Sequence, residues 1–283
     1  MSDASVLVIP DAVRARAARL EARLAELGSV IVAFSGGIDS AFLAVTAARV
    51  LGPRALAVTG DSASYPEHHR RQALGVARDF SLAHEIIPTW ELEREGYRAN
   101  AGDRCFHCKT ELYGTLAALA RARGFAAVAD GSNADDRGDY RPGRQAAREH
   151  GVVSPLDEVE LGKDDIRALA REAGMTIWDA PASACLSSRI PHHSVVTAPK
   201  LQQIERAEDA VRALGFRVFR VRHFDHLARL EFAAAEMPRA LEPGVTEAIV
   251  AAVRAAGFAE VDIDPRGYRQ GSLNAPLLLR PIS

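Results

Sequence analysis

One segment limits what this chain can fold into more than any other: an apolar run that ends in a glycine-rich turn. Residues 30–34 read Val-Ile-Val-Ala-Phe and are followed by Ser-Gly-Gly-Ile-Asp-Ser at 35–40. An uninterrupted apolar run bounded by glycine is typical of a strand buried on both faces, and residues 41–51 after the turn predict a helix. A strand that turns directly into a helix is the building unit of α/β proteins.

The same alternation of strand and helix continues through the first 190 residues. The predicted strands are 30–34, 55–59, 84–88 and 126–130, and the predicted helices are 14–27, 41–51, 66–80, 106–123 and 163–173. Right-handed crossovers between such strands give a parallel sheet with helices on both faces. We therefore predict an α/β fold for this part of the chain.

After residue 190 the order of elements changes. The pattern predicts a helix, two paired strands, a second helix and a last strand, at 198–214, 217–222, 228–232, 243–256 and 260–263. This order is typical of a small α+β domain. The predicted domains are therefore 1–190, with the parallel sheet, and 191–283, for substrate binding or oligomerisation.

Composition and charge exclude several protein classes. With 283 residues, 48% hydrophobic and 25% charged, the chain can bury a substantial core and is not disordered or fibrous. Thirty-five basic against 37 acidic residues give a net charge of −2, which counts against a nucleic-acid binder. Three cysteines cannot all pair with one another, and the apolar run at residues 6–9 is too short for a membrane span or signal core. We expect a soluble cytoplasmic protein.

The turn at residues 35–40 has the chemistry of an anion-binding loop. Gly36 and Gly37 let backbone N–H groups turn toward a ligand, and the start of a helix adds partial positive charge. Ser35 and Ser40 can donate to phosphate oxygens, whereas Asp39 fits beside a phosphate mainly with Mg²⁺ between them. The turn lacks the lysine of a Walker loop and does not match the dinucleotide fingerprint. The alternative is a glycine turn with a Ser/Asp helix cap.

This hexapeptide closely resembles the SGGxDS signature of the PP-loop ATP pyrophosphatases. The resemblance implies an adenine nucleotide α-hydrolase-like fold in which the loop grips the pyrophosphate part of ATP. A substrate atom then attacks the α-phosphate to form an adenylate. The resemblance also places the adenine near the end of the second strand, around residues Thr59, Gly60, Asp61 and Ser62.

A second polar loop follows the strand at 126–130. It reads Asp-Gly-Ser-Asn-Ala-Asp-Asp at 130–136, and Asp135 is the candidate in it for organising a metal or a bound nucleotide. Acidic side chains at the carboxyl end of a parallel strand are well placed for that role. A capped polar loop without ligands is an equally good interpretation.

The cysteines allow several kinds of site. Cys105 and Cys108 form a C-x-x-C pair, and Cys185 is the third cysteine. The pair can be redox-active or half of a zinc or iron–sulfur site. His107 could be the fourth zinc ligand, although a histidine inside a C-x-x-C gives an unfavourable ligand geometry. Three thiolates could also hold three irons of a [4Fe–4S] cluster and leave the fourth iron open. Alternatively, Cys185 is simply a small buried residue.

The whole set of motifs resembles the LarE family of ATP-dependent sulfur transferases, which help to make the nickel-pincer nucleotide cofactor of lactate racemase. The matching segments run from residue 35 to 274 and are SGGIDS, RCFHCK, DGSNADDRGDYRPG, ACLSSRIP, RVRHFDHLARLE and GYRQGSLN. The resemblance implies that Cys185 carries the sulfur. Members with that cysteine alone sacrifice its sulfur, whereas members with all three positions resemble cluster-bearing enzymes. Because Cys105 and Cys108 are present, we favour the [4Fe–4S] version.

The resemblance also implies a substrate, a pyridinium mononucleotide with carboxylate groups. Arg220 and Arg222 alternate along a predicted strand and share one face, and guanidinium groups suit phosphate and carboxylate. Lys109 resembles the phosphate-contacting lysine of the family. The other candidate residues in matching segments are Arg189, Glu208, Glu231, Arg269, Ser272 and Asn274. For any single arginine, an exposed surface position is as good an interpretation, and the matched motifs favour contact with substrate.

The resulting prediction is an ATP-dependent sulfur transferase that uses Mg²⁺ and self-associates. Asp39, Lys109 and Cys185 are the predicted catalytic residues. A substrate carboxylate is adenylated and then converted to a thiocarboxylate. Three alternatives stay open: a tRNA thiolase of the same superfamily, an ammonia-using synthetase, and a regulator that binds nucleotide without turnover.

Overall fold

A computed structural model describes residues 9–138, 142–181, 184–269 and 273. Contacts divide the chain into two compact units. The first comprises Met1–Glu91 and Cys105–Ser183, and the second comprises Leu92–Arg104 and Ala184–Ser283. The predicted boundary between independent domains after residue 190 stays a prediction.

Seven strands, eleven α-helices and four short 3₁₀ helices make up the regular structure of the described residues. The strands are β1 (Val30–Ala33), β2 (Ala55–Asp61), β3 (His84–Pro88), β4 (Ala127–Ala129), β5 (Phe219–Phe224), β6 (Leu227–Phe232) and β7 (Glu260–Ile263). The helices are α1 (Asp11–Leu27), α2 (Ile38–Leu51), α3 (Glu67–Asp79), α4 (Glu95–Ala99), α5 (Arg104–Arg123), α6 (Pro142–Glu149), α7 (Pro155–Glu158), α8 (Lys163–Glu172), α9 (Ala198–Ala213), α10 (Met237–Ala240) and α11 (Pro243–Ala255). None of these described helices is long and apolar enough to cross a membrane.

The first unit contains a four-stranded parallel sheet in the order β3-β2-β1-β4. Val30 and Val32 of β1 belong to one buried cluster, whereas Ile31 packs in another with Tyr113 of α5. Alternate residues of β1 therefore face two different helical layers, which explains why the whole strand is apolar. The predicted α/β class with helices on both faces of a parallel sheet is confirmed.

The second unit contains a three-stranded sheet in the order β5-β6-β7. β5 and β6 are antiparallel, and β7 runs parallel to β6. The apolar face of this sheet packs against α9 and α11, with Phe219, Val221 and Phe232 fully or nearly fully buried. The strand pairing predicted for this region is confirmed, and the alternating residues Arg220 and Arg222 fall on the opposite face.

Most predicted elements are found within a few residues of their expected ends, and two shifts concern the candidate site. Helix α2 begins at Ile38 instead of residue 41, because the N–H of Ala41 already donates to the carbonyl of Gly37 at 2.9 Å. Strand β2 extends to Asp61 instead of residue 59, because its last residues pair with the end of β3. Both shifts lengthen regular structure toward the same edge of the sheet.

Candidate active site

The glycine-rich loop lies at the position in the sheet where the order of the strands reverses. The chain continues from β1 to β2 and β3 on one side and returns with β4 on the other side of β1. In open parallel sheets, ligands bind beyond the carboxyl ends of the strands at such a reversal. Residues 35–40 follow β1, and residues 130–136 follow β4, so both polar loops lie at this position.

Hydrogen bonds inside the loop fix its two serines. The hydroxyl oxygens of Ser35 and Ser40 lie 3.1 Å apart, and the Ser35 N–H donates to Ser40 Oγ at 3.2 Å. The Ser40 hydroxyl also donates to the Gly37 carbonyl at 3.0 Å. The loop therefore presents paired hydroxyls at the start of α2, where the helix adds partial positive charge.

Gly36 occupies a position that only glycine fits. Its φ is +73°, and a Cβ there would lie 2.9 Å from the Cβ of Ala73 on α3. The carbonyls of the loop bond to side chains at or beside α3: Tyr65 Oη donates to Ser35 O at 3.0 Å, and Gln72 Nε2 donates to Gly36 O at 2.7 Å. The glycine thus allows the loop to pack closely on α3.

Asp39 forms an ion pair that the sequence analysis did not anticipate. The Nζ of Lys163, at the start of α8, lies 2.7 Å from Asp39 Oδ2. The other oxygen, Oδ1, is buried and has no hydrogen-bond partner among the described residues. The backbone N–H of Lys163 donates to Asp135 Oδ2 at 2.6 Å, so this residue connects both predicted acids. A carboxylate oxygen such as Asp39 Oδ1 is the kind of ligand that Mg²⁺ prefers.

Asp130 organises the second polar loop. It is buried and accepts hydrogen bonds from Tyr113 Oη at 2.7 Å, from Ser154 Oγ at 2.8 Å, and from the N–H and hydroxyl of Ser132. Tyr113 in turn neighbours the half-buried Lys109, whose Nζ lies 5.1 Å from the centre of the tyrosine ring. The electrostatic interaction with Tyr113 first, and then those with Asp130 and Cys108, raise the pKa of Lys109 although burial opposes them, so its ammonium stays charged.

The predicted adenine-binding residues are held by the strands around them. Thr59 is buried, and its hydroxyl donates to Phe34 O at 2.7 Å and lies 2.8 Å from His84 Nε2. Ser62 Oγ donates to Glu91 Oε1 at 2.5 Å. Ser64 donates to the same oxygen at 2.7 Å. The buried Glu91, which the sequence analysis missed, therefore fixes the loop that follows β2.

The cysteines fall in both units. Cys105 is exposed and Cys108 is half-buried, and they lie three residues apart near the start of α5. Cys185, also half-buried, belongs to the second unit. No group of three or more His, Cys, Asp or Glu residues arranged to hold a metal ion is found among the described residues. The predicted cluster on the three cysteines stays a prediction.

In the second unit, Arg189 and Glu208 form a buried ion pair. Both side chains are 2% exposed, and Nε and Nη2 of Arg189 each lie 2.8 Å from one oxygen of Glu208. Burial alone would raise the pKa of Glu208. The charge and hydrogen bonds of Arg189, with the charge of Arg220 and a bond from the Val221 N–H, instead lower that pKa to about 2.

A second buried pair lies on the polar face of the small sheet. Arg222 donates to Glu231 Oε2 through Nε at 2.9 Å and Nη2 at 2.7 Å. Arg220 is opposite Glu231 in the strand register and lies over the ring of Tyr268, 4.9 Å from its centre. Burial first, and then the charge of Arg189, lower the pKa of Arg220. The predicted arginines of β5 thus share one face with an acidic residue.

Comparison with known proteins then identifies the family. No family model matches the chain. An uncharacterized protein of Synechocystis sp. is 40% identical over 252 residues, 89% of this chain and 94% of the relative. The pyridinium-3,5-bisthiocarboxylic acid mononucleotide synthase of Lactiplantibacillus plantarum is 34% identical over 261 residues, 92% of this chain and 94% of that enzyme. The chain belongs to the LarE family. An uncharacterized protein of Methanocaldococcus jannaschii is 28% identical over 71% of this LarE-family chain and 77% of its own length.

The structure places the predicted site residues of this LarE-family chain in two groups. In the first unit, Lys163 bonds to both Asp39 and Asp135 and so connects them. In the second unit, the arginine and glutamate candidates are paired as described above. Arg269 is exposed, and Ser272 and Asn274 lie outside the described residues. That these groups bind ligand stays a prediction.

We predict that Gly131→Ala disrupts the packing of the loop at residues 130–136 against the start of α2. A Cβ at Gly131 would lie 2.7 Å from the backbone nitrogen and 3.0 Å from the Cα of Ser40, and backbone atoms cannot give way cheaply. We expect a loss of about 1–3 kcal/mol in unfolding free energy, measured by urea denaturation. The control is Gly75→Ala in α3, where the added Cβ would meet no atom within 4 Å outside the adjacent backbone of its own helix, and where alanine favours the helix. Equal stability of the two variants would contradict the close approach.

We further predict that Glu208→Gln strongly destabilises this LarE-family chain, because it leaves the buried Arg189 charge uncompensated. The expected loss of unfolding free energy at neutral pH is about 3–5 kcal/mol. The control is Asp262→Asn, which removes a surface pair with Arg229 and should cost less than about 1 kcal/mol.

The same ion pair predicts a pH dependence. The pKa of Glu208 is lowered in the folded state, so its stabilisation is complete above the ordinary value of 4.5 and is lost as pH falls toward about 2. The stability difference between the parent chain and Glu208→Gln, from urea denaturation at several pH values, should shrink across that window. A difference that stays constant down to pH 2 would contradict the assignment.

Proposed function

We propose that this LarE-family chain is an ATP-dependent sulfur transferase that acts on a pyridinium mononucleotide with carboxylate groups in nickel-pincer nucleotide biosynthesis. The observation that carries the proposal is the 34% identity, over 92% of the chain, with an enzyme named as a pyridinium-3,5-bisthiocarboxylic acid mononucleotide synthase. The geometry of the glycine-rich loop and of the buried arginines supports the proposal.

In the proposed first step, Ser35, Ser40 and the backbone at Gly36 and Gly37 bind the pyrophosphate part of ATP. Asp39, through its buried Oδ1, is the residue that would hold Mg²⁺. When bound, the metal would withdraw charge from the phosphate oxygens. A substrate carboxylate oxygen attacks the α-phosphorus, the bond to pyrophosphate breaks, and an acyl-adenylate forms. Lys163 and Asp135 fix Asp39 and the adjacent loop during this step.

The proposed substrate is an anion, and positively charged groups would bind it. Arg220 and Arg222 on the polar face of β5 would receive its phosphate or carboxylate groups, with Glu231 orienting Arg222. Lys109 would bind a phosphate group through an ammonium that stays charged. Arg269 and Ser272 complete the proposed set, and Thr59 and Ser62 are assigned to the adenine side.

In the proposed second step, sulfur attacks the activated carbonyl carbon and AMP leaves with the original oxygen. Cys105, Cys108 and Cys185 would ligate three irons of a [4Fe–4S] cluster, and their thiolates are the donor type that such clusters use. When bound, the cluster would supply a transferable sulfide. Cys105 and Cys108 lie one helical turn apart on α5, directly before Lys109 in the chain.

The cluster proposal is tested by purifying the protein without oxygen and measuring iron, acid-labile sulfide and visible absorption. We expect about four irons per chain with broad absorption typical of thiolate-ligated iron. A colourless, iron-free protein that still transfers sulfur would overturn the cluster and assign the sulfur to Cys185 itself. In that case the mass of Cys185 should fall after a single turnover.

A further inference from the structure

We infer that Arg189 is a positioning residue for Cys185. The sequence resemblance implies that Arg189 contacts the substrate, but in the structure its guanidinium bonds to the protein backbone. The inference rests on the proposed function in one respect only: it takes Cys185 to be a residue that handles the transferred sulfur. Arg189 fixes the position of residues 184–188, which we call the Cys185 segment.

The hydrogen bonds of Arg189 carry this inference. Its Nη1 donates to the carbonyls of Ala184 and Cys185, both at 2.9 Å, and to Ser188 Oγ, also at 2.9 Å. Nε and Nη2 are directed to Glu208. A guanidinium has five N–H donors, and these contacts involve all three of its nitrogens. The side chain is 2% exposed, so the guanidinium of Arg189 binds groups of its own chain and does not face solvent.

Two further buried arginines bind carbonyls of the same segment. Arg104 Nη1 donates to Ser187 O at 2.9 Å, and Arg222 Nη1 donates to Ser188 O at 2.8 Å. Ser188 Oγ donates to Cys185 O at 2.8 Å. The carbonyls of residues 184, 185, 187 and 188 are therefore all bound by buried arginines. Cys185 sits in a backbone fixed from several directions, which is what a sulfur-transferring side chain needs for a defined position.

Glu208 gives Arg189 its orientation. The bidentate pair fixes the plane of the guanidinium, and the third nitrogen then points at the Cys185 segment. A lysine at this position would keep the charge but could not contact Glu208 with two nitrogens and the segment with a third. Arg189→Lys is therefore the variant that separates geometry from charge.

The test is hydrogen exchange, measured by mass spectrometry on the complete chain, over peptides that cover residues 184–190. The amides of Ser188 and Ile190 donate to carbonyls of the Cys185 segment, those of Cys185 and Ser187, at 3.0 and 3.1 Å. In Arg189→Lys we expect these amides to exchange at least about tenfold faster, the size that follows from losing charged hydrogen bonds. Arg206→Lys is the control, because Arg206 donates to a carbonyl elsewhere in the same unit, that of Ala256. Exchange as slow as in the parent chain would overturn the inference.

A milder variant covers the case in which Arg189→Lys fails to fold. Ser188→Ala removes one hydroxyl that bonds both Cys185 O and Arg189 Nη1, and it should speed exchange only at residues 184–190. Unchanged exchange in Ser188→Ala would then overturn the inference. Because exchange is measured without ATP or substrate, the result stands even if the parent chain forms no thiocarboxylate.

A kinetic readout distinguishes positioning from general support of the fold. In single-turnover reactions, Arg189→Lys should release pyrophosphate at the parent rate, whereas sulfur transfer should fall by about tenfold or more, the same factor as above. Equal losses in both steps would show that Arg189 only supports folding and would overturn its positioning role.

Discussion

Replacing Cys105 by alanine is expected to abolish sulfur transfer while ATP-dependent release of pyrophosphate continues. The reason is that the proposed cluster needs three thiolate ligands, and the chain has only the cysteines at 105, 108 and 185. The proposed adenylation would use the loop at residues 35–40 and should not depend on a thiol. Pyrophosphate release and thiocarboxylate formation are measured in the same anaerobic reaction.

The matched control for this experiment is His107→Ala. His107 lies between the two cysteines on α5, and the cluster proposal gives it no iron, so iron content and sulfur transfer should be retained. Normal transfer by Cys105→Ala would refute the cluster and leave Cys185 as a consumed donor. Loss of metal and transfer in His107→Ala would instead favour a zinc site that includes the histidine.

Asp39→Asn is expected to lower pyrophosphate release by about 10²–10³-fold, the usual cost of removing one group that stabilises transition-state charge. Asparagine preserves the size of the side chain but removes the negative charge that pairs with Lys163 and that the proposed Mg²⁺ site would use. The rate is measured with saturating ATP and substrate over a range of Mg²⁺ concentrations.

The control for Asp39→Asn is Asp164→Asn. Asp164 is exposed in the first turn of α8, next to Lys163, and its replacement should change the rate by less than about twofold. If both variants lose activity equally, the effect is one of general surface charge. If Asp39→Asn retains the parent rate, Asp39 has no part in nucleotide chemistry.

Local patterns in the sequence were sufficient to predict the framework of the site. The apolar run of β1, the glycines after it and the following helix are neighbours in the chain, so periodicity and composition reveal them. The same holds for Arg220 and Arg222, whose alternation on β5 places them on one face. The strands at His84–Pro88 and Glu260–Ile263 were predicted with their observed bounds.

Contacts between distant positions could not be predicted in this way. Lys163 reaches Asp39 across 124 positions, and Glu91 binds Ser62 across 29. A lysine at a helix start and a glutamate after a strand resemble ordinary surface residues, and only the folded chain shows their partners. The sequence likewise could not show that Arg189 faces carbonyls of its own chain instead of solvent.

In the proposed reaction, ATP activates a carboxylate, which is then converted to a thiocarboxylate. The most direct test incubates the protein, purified without oxygen, with Mg²⁺, ATP and pyridinium-3,5-biscarboxylic acid mononucleotide and analyses the products by mass spectrometry. We predict a product in which sulfur replaces a carboxylate oxygen, together with equal amounts of AMP and pyrophosphate. Formation of an amide from added ammonia, or sulfur incorporation without pyrophosphate, would contradict the claim.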